Sequence, residues 1–523
     1  MNETQKIVDQ LKQDWGISFP PVRKVIEAVV DGHTSKDVLV AQTGLSRRGV
    51  ERVLDRLSPL LTGEHGGFSG ETISHIRAAI ARPPIDEAAA LARIRSILEK
   101  RPKPNRSLDH VAATPESVLR RALYLVNTFD LSGAAILLLG DHDLTATGLA
   151  SVVPSLDLWV CDVDERLLAF IDQANLEHDF QIRTVFADFR VELPRSLTSR
   201  FNIVFTDPPY TEPGIRLFLQ RSVHALNNVQ NDRILLAYGY GEDQVTLGYK
   251  IQSVIHEQRL LQEAILPDFS EYEGAQAIGS RSSLHVMRPT RRSLAAARNP
   301  EKTQNLYSHG KSSEEVDNAE LPGAITAGLC SPEPDLVVGL GIDGLPAPMT
   351  LADYLHSGNL PGEKSRVLIN LFPHFDSYLV RAICHSQADT LVVCGSQRPL
   401  ADLFAHDSDL KRLVTSKYAL IERVQEGPVG RVVLSKRKPE SPQAKLLADL
   451  TGRPGAKLAN AWREALITAS PVPIAKNQAR AIVTQSNLGA QVGDLYLSEL
   501  PLHVLSRLPD SAEQMLTLAT QTA

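Results

Sequence analysis

Between residues 107 and 290, short apolar runs alternate with longer stretches in which apolar residues recur every three or four positions. That is the pattern of a parallel sheet covered by helices on both faces. The runs predict strands at 135–139, 158–161, 182–186, 203–206 and 234–238 and a last strand near 283–286, with helices at 165–175 and 213–226. The arrangement is doubly wound and Rossmann-like, and its ligand belongs at the carboxyl ends of the strands.

The flanking regions carry different patterns. Residues 1–100 read as short helices, with Val22, Val25, Ile26, Val29 and Val30 at helical spacing. Within them, 35–50 has the shape of a helix-turn-helix: Gly44 for the turn, Ser46 as cap, and Val50, Val53, Leu54 and Leu57 as the buried face. Residues 63–70 would form a wing. Arg47, Arg48 and Arg52 would face DNA if this were a reader, but so few basic residues favour a winged-helix module used for packing or dimer formation. A Pro- and Arg-rich connector at 101–106 leads into the sheet. Residues 291–334 are too poor in large apolar side chains to order themselves and read as a flexible linker. A second, smaller α/β region follows at 335–440, with strands at 367–371, 390–393, 419–424 and 431–435, and then a helical region at 441–523. Arg366 to His374 echoes Phe201 to Pro209, so the second region reads as a degenerate duplicate that has lost the acid of the first.

Composition narrows the class. The 523 residues are 43% hydrophobic and 22% charged, and no run approaches the roughly eighteen apolar residues that span a bilayer, so neither a membrane role nor an export signal is expected and the chain reads as cytoplasmic. A formal charge of -6 gives no bulk attraction to nucleic acid and mildly favours a cationic partner. Cys161, Cys330, Cys384 and Cys394 have neither metal-ligand spacing nor a disulfide framework; no metal is expected.

The candidate chemistry sits at strand ends. After the first strand comes Gly140-Asp141-His142-Asp143-Leu144, where a methyl-donor enzyme would carry a run of glycines. Asp141 and Asp143 would repel the carboxylate of S-adenosylmethionine and attract the bare ammonium tail of its decarboxylated form, or they cap the following helix, or both. Asp162 ends the second strand, where an acid takes the ribose hydroxyls. Asp188 ends the third, where a carboxylate accepts the adenine amino group with Phe189 stacked on the ring. The fourth ends in Asp207-Pro208-Pro209-Tyr210: Asp207 accepts from an incoming amine, the prolines aim neighbouring carbonyls, and Tyr210 offers an aromatic face to a cation. Asp268, Glu271 and Glu273, with Tyr272 among them, would bring further acids over the site on a loop, or form a solvated cluster.

Taken together, the helix-turn-helix, Gly-Asp-x-Asp-Leu at 140–144, Asp-Val-Asp-Glu at 162–165, Asp-Pro-Pro-Tyr-Thr at 207–211 and Tyr-x-Gly-Ala from Tyr272 resemble the branched-chain polyamine synthases over about residues 1–290. The resemblance implies transfer of aminopropyl groups from decarboxylated S-adenosylmethionine, as co-substrate, to a nitrogen of spermidine, releasing methylthioadenosine. It implies that Asp141, Asp143 and Asp207 bind the two amines and assist loss of a proton. A homodimer is expected, and nucleic acid is not an expected partner. The family carries three consecutive acids after the glycine, whereas this chain has His142 in the middle. His142 then replaces the acid as a neutral imidazole titrating near neutrality, or the acceptor differs, or activity is lost. Two other functions share the motifs: an amino-methyltransferase acting on nucleic acid, and a regulator that binds a polyamine or nucleoside without turnover.

Overall fold

The computed structural model describes residues 2–522 except 62–66, 230, 275–278, 299–320, 328, 330–331, 358–364, 406–407, 487 and 489–491. Eight strands form the first sheet: β1 (Ala112–Ala113), β2 (Ala135–Leu139), β3 (Asp157–Asp162), β4 (Arg183–Phe186), β5 (Ile203–Thr206), β6 (Arg233–Tyr238), β7 (Leu260–Glu273) and β8 (Arg281–Pro289). Their order is β1-β7-β8-β6-β5-β2-β3-β4. The run from β4 to β6 is parallel, while β7 and β8 pair antiparallel at the far side. The central strands are uninterrupted apolar runs because helices cover both faces: Leu137, Leu138 and Leu139 are fully buried. The mixed α/β class is as expected, and β2 and β5 begin and end at the predicted residues.

Two strands of this sheet are absent from the sequence reading, the two-residue β1 and the much longer β7. Its residues mix Leu260, Ile265 and Phe269 with Pro267 and several acids, and the ladder slips between Leu266 and Ser270 to accommodate them. A bulged antiparallel strand whose outer side is paired only at its end by the two-residue β1 has no clean two-residue period.

Two helices stand where the helix-turn-helix is expected, with Val50, Val53 and Leu57 buried and Leu54 half-buried. Lys36–Thr43 and Arg47–Leu57 flank Gly44 at φ +69°, and the Ser46 hydroxyl accepts from the amide of Gly49 at 3.2 Å. The expected wing falls largely on 62–66, outside the described residues, and Gly70 already opens the helix Gly70–Ile80. The first core closes with Ile80, whereas Ile94 and Ile97 of the helix Glu87–Leu98 join the core of the sheet.

Five further strands build the second sheet: β9 (Leu336–Gly339), β10 (Arg366–Asn370), β11 (Thr390–Ser396), β12 (Tyr418–Glu426) and β13 (Val429–Lys436), in the order β12-β13-β11-β10-β9. β9, β10 and β11 are parallel, and β13 and β12 run antiparallel. The ends of the expected linker are structured. Ser293–Ala297 is a helix, and around the helix Gly323–Thr326 the side chains of Ile325 and Leu329 pack on one face of the second sheet. Residues 299–320, the middle of that segment, lie outside the described residues.

The C-terminal helices pack with both sheets in one continuous core. Cys161, Cys384 and Cys394 are buried, and no helix among the described residues is long and apolar enough to cross a membrane.

Candidate active site

A cavity of about 950 Å³ opens at the carboxyl ends of β2, β3, β4 and β5. Gly140, Asp141, His142, Asp143, Asp162, Phe189, Asp207, Pro208, Tyr210 and Glu273 line it, together with Arg121, His110 and Tyr272. Gly140 turns the chain at φ +73°, and a Cβ there would meet Phe218 at 3.3 Å, so only glycine lets the loop pass below the cavity without strain.

The organising side chain is Arg121, on the helix Pro115–Thr128. It is fully buried, and each of its N–H groups has a partner inside the protein. Nε donates to Ser270 Oγ at 3.0 Å; Nη1 to Asp143 Oδ2 at 2.9 Å and Thr145 Oγ1 at 3.2 Å; Nη2 to Asp207 Oδ2 at 2.8 Å and the Tyr272 hydroxyl at 2.9 Å. Burial works against its charge, but the neighbouring Tyr272, Asp143 and Asp207 outweigh it and push its pKa well up. The sequence reading missed it. A signal was present: Val118, Arg121, Ala122 and Leu125 share one helical stripe, and an arginine in an apolar stripe is usually buried with a partner.

Asp207 also accepts from Tyr210 at 2.9 Å and from Tyr272 at 2.6 Å. The Tyr272 hydroxyl lies 2.7 Å from Ser282 Oγ. Burial and the charge of Asp143 raise the Asp207 carboxyl to about 7, with Arg121 pulling the other way. On Asp143, burial is overcome by the Arg121 guanidinium and a hydrogen bond with Asp207, which hold it below the usual carboxylate range. The two acids face each other across one arginine, a geometry that keeps a single proton on the Asp207 side.

The other strand-end acids are engaged by the backbone. Asp141 accepts from the amides of Thr145 at 2.8 Å and Ala146 at 3.0 Å, so it caps the helix Thr145–Val152. Burial pushes its pKa well up. Asp162 accepts from the amides of Asp141 at 3.1 Å and Asp164 at 2.8 Å, and burial raises it to about 6. Asp188 does not line the cavity: its carboxylate is clasped by Arg190, with Nε 3.0 Å from both oxygens. Its neighbours Ala187 and Phe189 are the lining residues, and Phe189 packs edge-on against Phe218 at 5.0 Å.

His142 stacks on His110, with ring centroids 4.2 Å apart, and neither of its ring nitrogens has a hydrogen-bond partner. Burial and the adjacent His110 lower it to about 4. Titration near neutrality, one of the alternatives for this residue, does not fit that environment. The imidazole is neutral at physiological pH and titrates where a carboxyl would, but without a carboxylate's charge.

The acids expected on a loop lie on β7. Asp268 is exposed where the ladder slips, at φ +51°, Glu271 is 3.9 Å from Arg281, and neither lines the cavity. Glu273 does line it, and is bonded to Arg101 at 2.7 Å. Residues 275–278 of the expected covering segment lie outside the described residues.

Residues 89–308 match the family model of the Branched-chain polyamine synthase A C-terminal domain. The resemblance to the branched-chain polyamine synthases holds over this segment. An uncharacterized protein of Methanocaldococcus jannaschii is 33% identical over 191 residues, 36% of this chain and 48% of that protein. The N(4)-bis(aminopropyl)spermidine synthase of Thermus thermophilus is 32% identical over 188 residues, 35% of this chain and 53% of that enzyme. The chain therefore spans about half the length of these curated relatives. A solved mutein of the Thermus thermophilus branched-chain polyamine synthase, in complex with N4-aminopropylspermidine and 5'-methylthioadenosine, is 20% identical, covering 60% of this chain and 97% of that one at a TM-score of 0.37. That likeness is too low to weigh.

Proposed function

We propose that the cavity binds decarboxylated S-adenosylmethionine and a linear polyamine such as spermidine, and that the protein transfers an aminopropyl group to an amine nitrogen of the acceptor. The supporting observation is Arg121. A buried arginine at a donor's tail would ordinarily argue for a carboxylate, but all of this one's donors are taken by Ser270, Asp143, Thr145, Asp207 and Tyr272. The other cationic lining residues, Lys103 and Arg106, are exposed. What remains toward the cavity is acceptor chemistry: the carboxylates of Asp143 and Asp207, the tyrosine hydroxyls and the neutral imidazole of His142. That set suits ammonium groups and leaves a donor carboxylate only the exposed Lys103 and Arg106. The named synthase relative supports the same activity.

In the reaction, the neutral amine attacks the methylene bonded to the sulfonium. A C–N bond forms, the C–S bond breaks with its electron pair going to sulfur, and 5'-methylthioadenosine leaves as a neutral thioether. The nitrogen's surplus proton goes to Asp207, whose carboxyl, raised to about 7, is matched to take it near neutral pH. Tyr210 and Tyr272 orient that carboxylate. Asp143, kept ionised by Arg121, supplies the charge that holds the acceptor's cationic arm. Positioning two cations in a desolvated pocket carries the remaining rate enhancement.

Incubation with the decarboxylated donor and spermidine, followed by mass spectrometry, should yield methylthioadenosine and an acceptor heavier by one or two aminopropyl groups. Turnover with intact S-adenosylmethionine in preference to the decarboxylated donor would overturn the proposal.

A further inference from the structure

Behind the lining residues Ala187 and Phe189, the chain is held by residues of the C-terminal half, a part outside the matched segment at 89–308. β4 is the border strand of the first sheet, and its end carries Ala187 and Phe189 into the cavity wall. Between them, Asp188 is held from outside the sheet. Its amide donates to the hydroxyl of Tyr378 at 3.0 Å, across 190 positions of sequence. Its carboxylate is clasped by Arg190, which also donates to the carbonyl of His374 at 3.2 Å and lies 5.4 Å over the ring of Phe375. Tyr378 packs edge-on against Phe186, the last residue of β4, at 5.2 Å.

We infer that Tyr378 is a positioning residue for the nucleoside part of the donor: by holding the Asp188 amide it sets where Ala187 and Phe189 stand, and so makes donor affinity depend on the second sheet. The inference rests on the donor-binding reading of the cavity. A border strand has one side without a ladder partner, and its end is free to shift unless something else fixes it. Ala187 is tied through its amide to the Asp162 carbonyl at 3.1 Å and Phe189 through its carbonyl to Arg221 at 2.7 and 3.0 Å; the residue between them is tied by a hydroxyl from the segment that follows β10, the counterpart in the second sheet of the Asp-Pro-Pro segment in the first.

Tyr378→Phe keeps the ring on Phe186 and removes only the hydroxyl. Binding of 5'-methylthioadenosine to the full-length protein by calorimetry should weaken about 5- to 10-fold, the range for loss of one buried hydrogen bond. The KM for the decarboxylated donor should rise by a similar factor while kcat and the KM for the polyamine stay within twofold. His503→Gln is the control: it breaks the 2.7 Å contact with Asp172, another bridge from the C-terminal half to the first sheet's helices, without touching Asp188. It should leave methylthioadenosine binding unchanged. Unaltered nucleoside affinity in Tyr378→Phe, or an equal loss in His503→Gln, overturns the positioning role while the donor-binding reading stands. Failure of the unmodified protein to bind methylthioadenosine overturns both.

Discussion

The two sheets of this chain share one plan and differ in what their strand ends present. Reading outward, β2-β5-β6-β8-β7 in the first and β9-β10-β11-β13-β12 in the second have the same order and the same polarity, three parallel strands followed by an antiparallel pair. Thr206 pairs with Leu139, the last residue of β2, as Asn370 pairs with Gly339, the last of β9. In that register Asp207 corresponds to Leu371, one residue before the Phe372 that the echo in the sequence sets against it. Asp207 borders an open cavity; Leu371 is fully buried in apolar core. The second sheet also lacks strands corresponding to β3 and β4 among the described residues, the strands that carry Asp162 and Asp188 in the first. A shared topology thus supplies the place for a site, while the side chains at the strand ends decide whether one exists. On the repeated strand order we propose that the second region is a degenerate duplicate of the first.

Exchanging the chemistry at the matched positions tests this most severely. Asp207→Asn should lower kcat/KM about 10³-fold, within the range for loss of a positioned base, with circular dichroism unchanged. Its mirror, Leu371→Asp, should create no activity and should destabilise by at least ~3 kcal/mol in urea, because the new carboxyl enters a dry core without a partner.

Next in size is Arg121→Met. It leaves Asp143 and Asp207 facing each other without their shared cation, and urea unfolding should show a loss of about 3–5 kcal/mol. The loss should be greater at pH 8 than at pH 5, since protonation relieves the repulsion.

The pH dependence of the unmodified protein is a smaller effect with a definite sign. Asp207 is raised from 3.8 to about 7, so the folded protein keeps a proton that the unfolded chain releases. On this group alone stability falls as pH rises between those two values, while activity, which needs the unprotonated base, climbs along a limb with a midpoint near 7. A pH series of kcat/KM checks it. Asp207→Asn should abolish the limb from whatever rate remains.

The smallest change expected is from His142→Asp, which makes residues 141–143 three consecutive acids. It adds a negative charge near Asp143 and Asp207, so the limb should move to higher pH by less than about one unit, since like charges raise one another's pKa. A shift to lower pH would contradict the neutral state assigned to His142.

Much of the first sheet was legible because strand runs and turn residues are local. β2 and β5 read directly from their apolar residues, and Gly140, Asp143 and Asp207 could be placed at strand ends because a parallel strand delivers its next residues to one edge. β7 was hidden by Pro267 and its acids, and the linker's ends by their small size. The acids themselves were visible, but only part of their employment was. The cap at Asp141 was one of the alternatives read from the sequence, but Asp188 as the partner of Arg190 and Asp268 as an exposed bulge residue depend on neighbours that composition does not reveal.

What the amino-acid order determined alone was the class of the fold and the row of acids along its carboxyl edge, since both follow from periodicity over a few residues. The tertiary structure decided which of those acids sits beside Arg121 with a raised pKa and which caps a helix. Arg121 lies 86 positions from Asp207, and Tyr378 lies 190 from Asp188. Helix phase and sheet packing bring such pairs together, and burial beside a fixed cation, not residue type, sets the charge each acid carries.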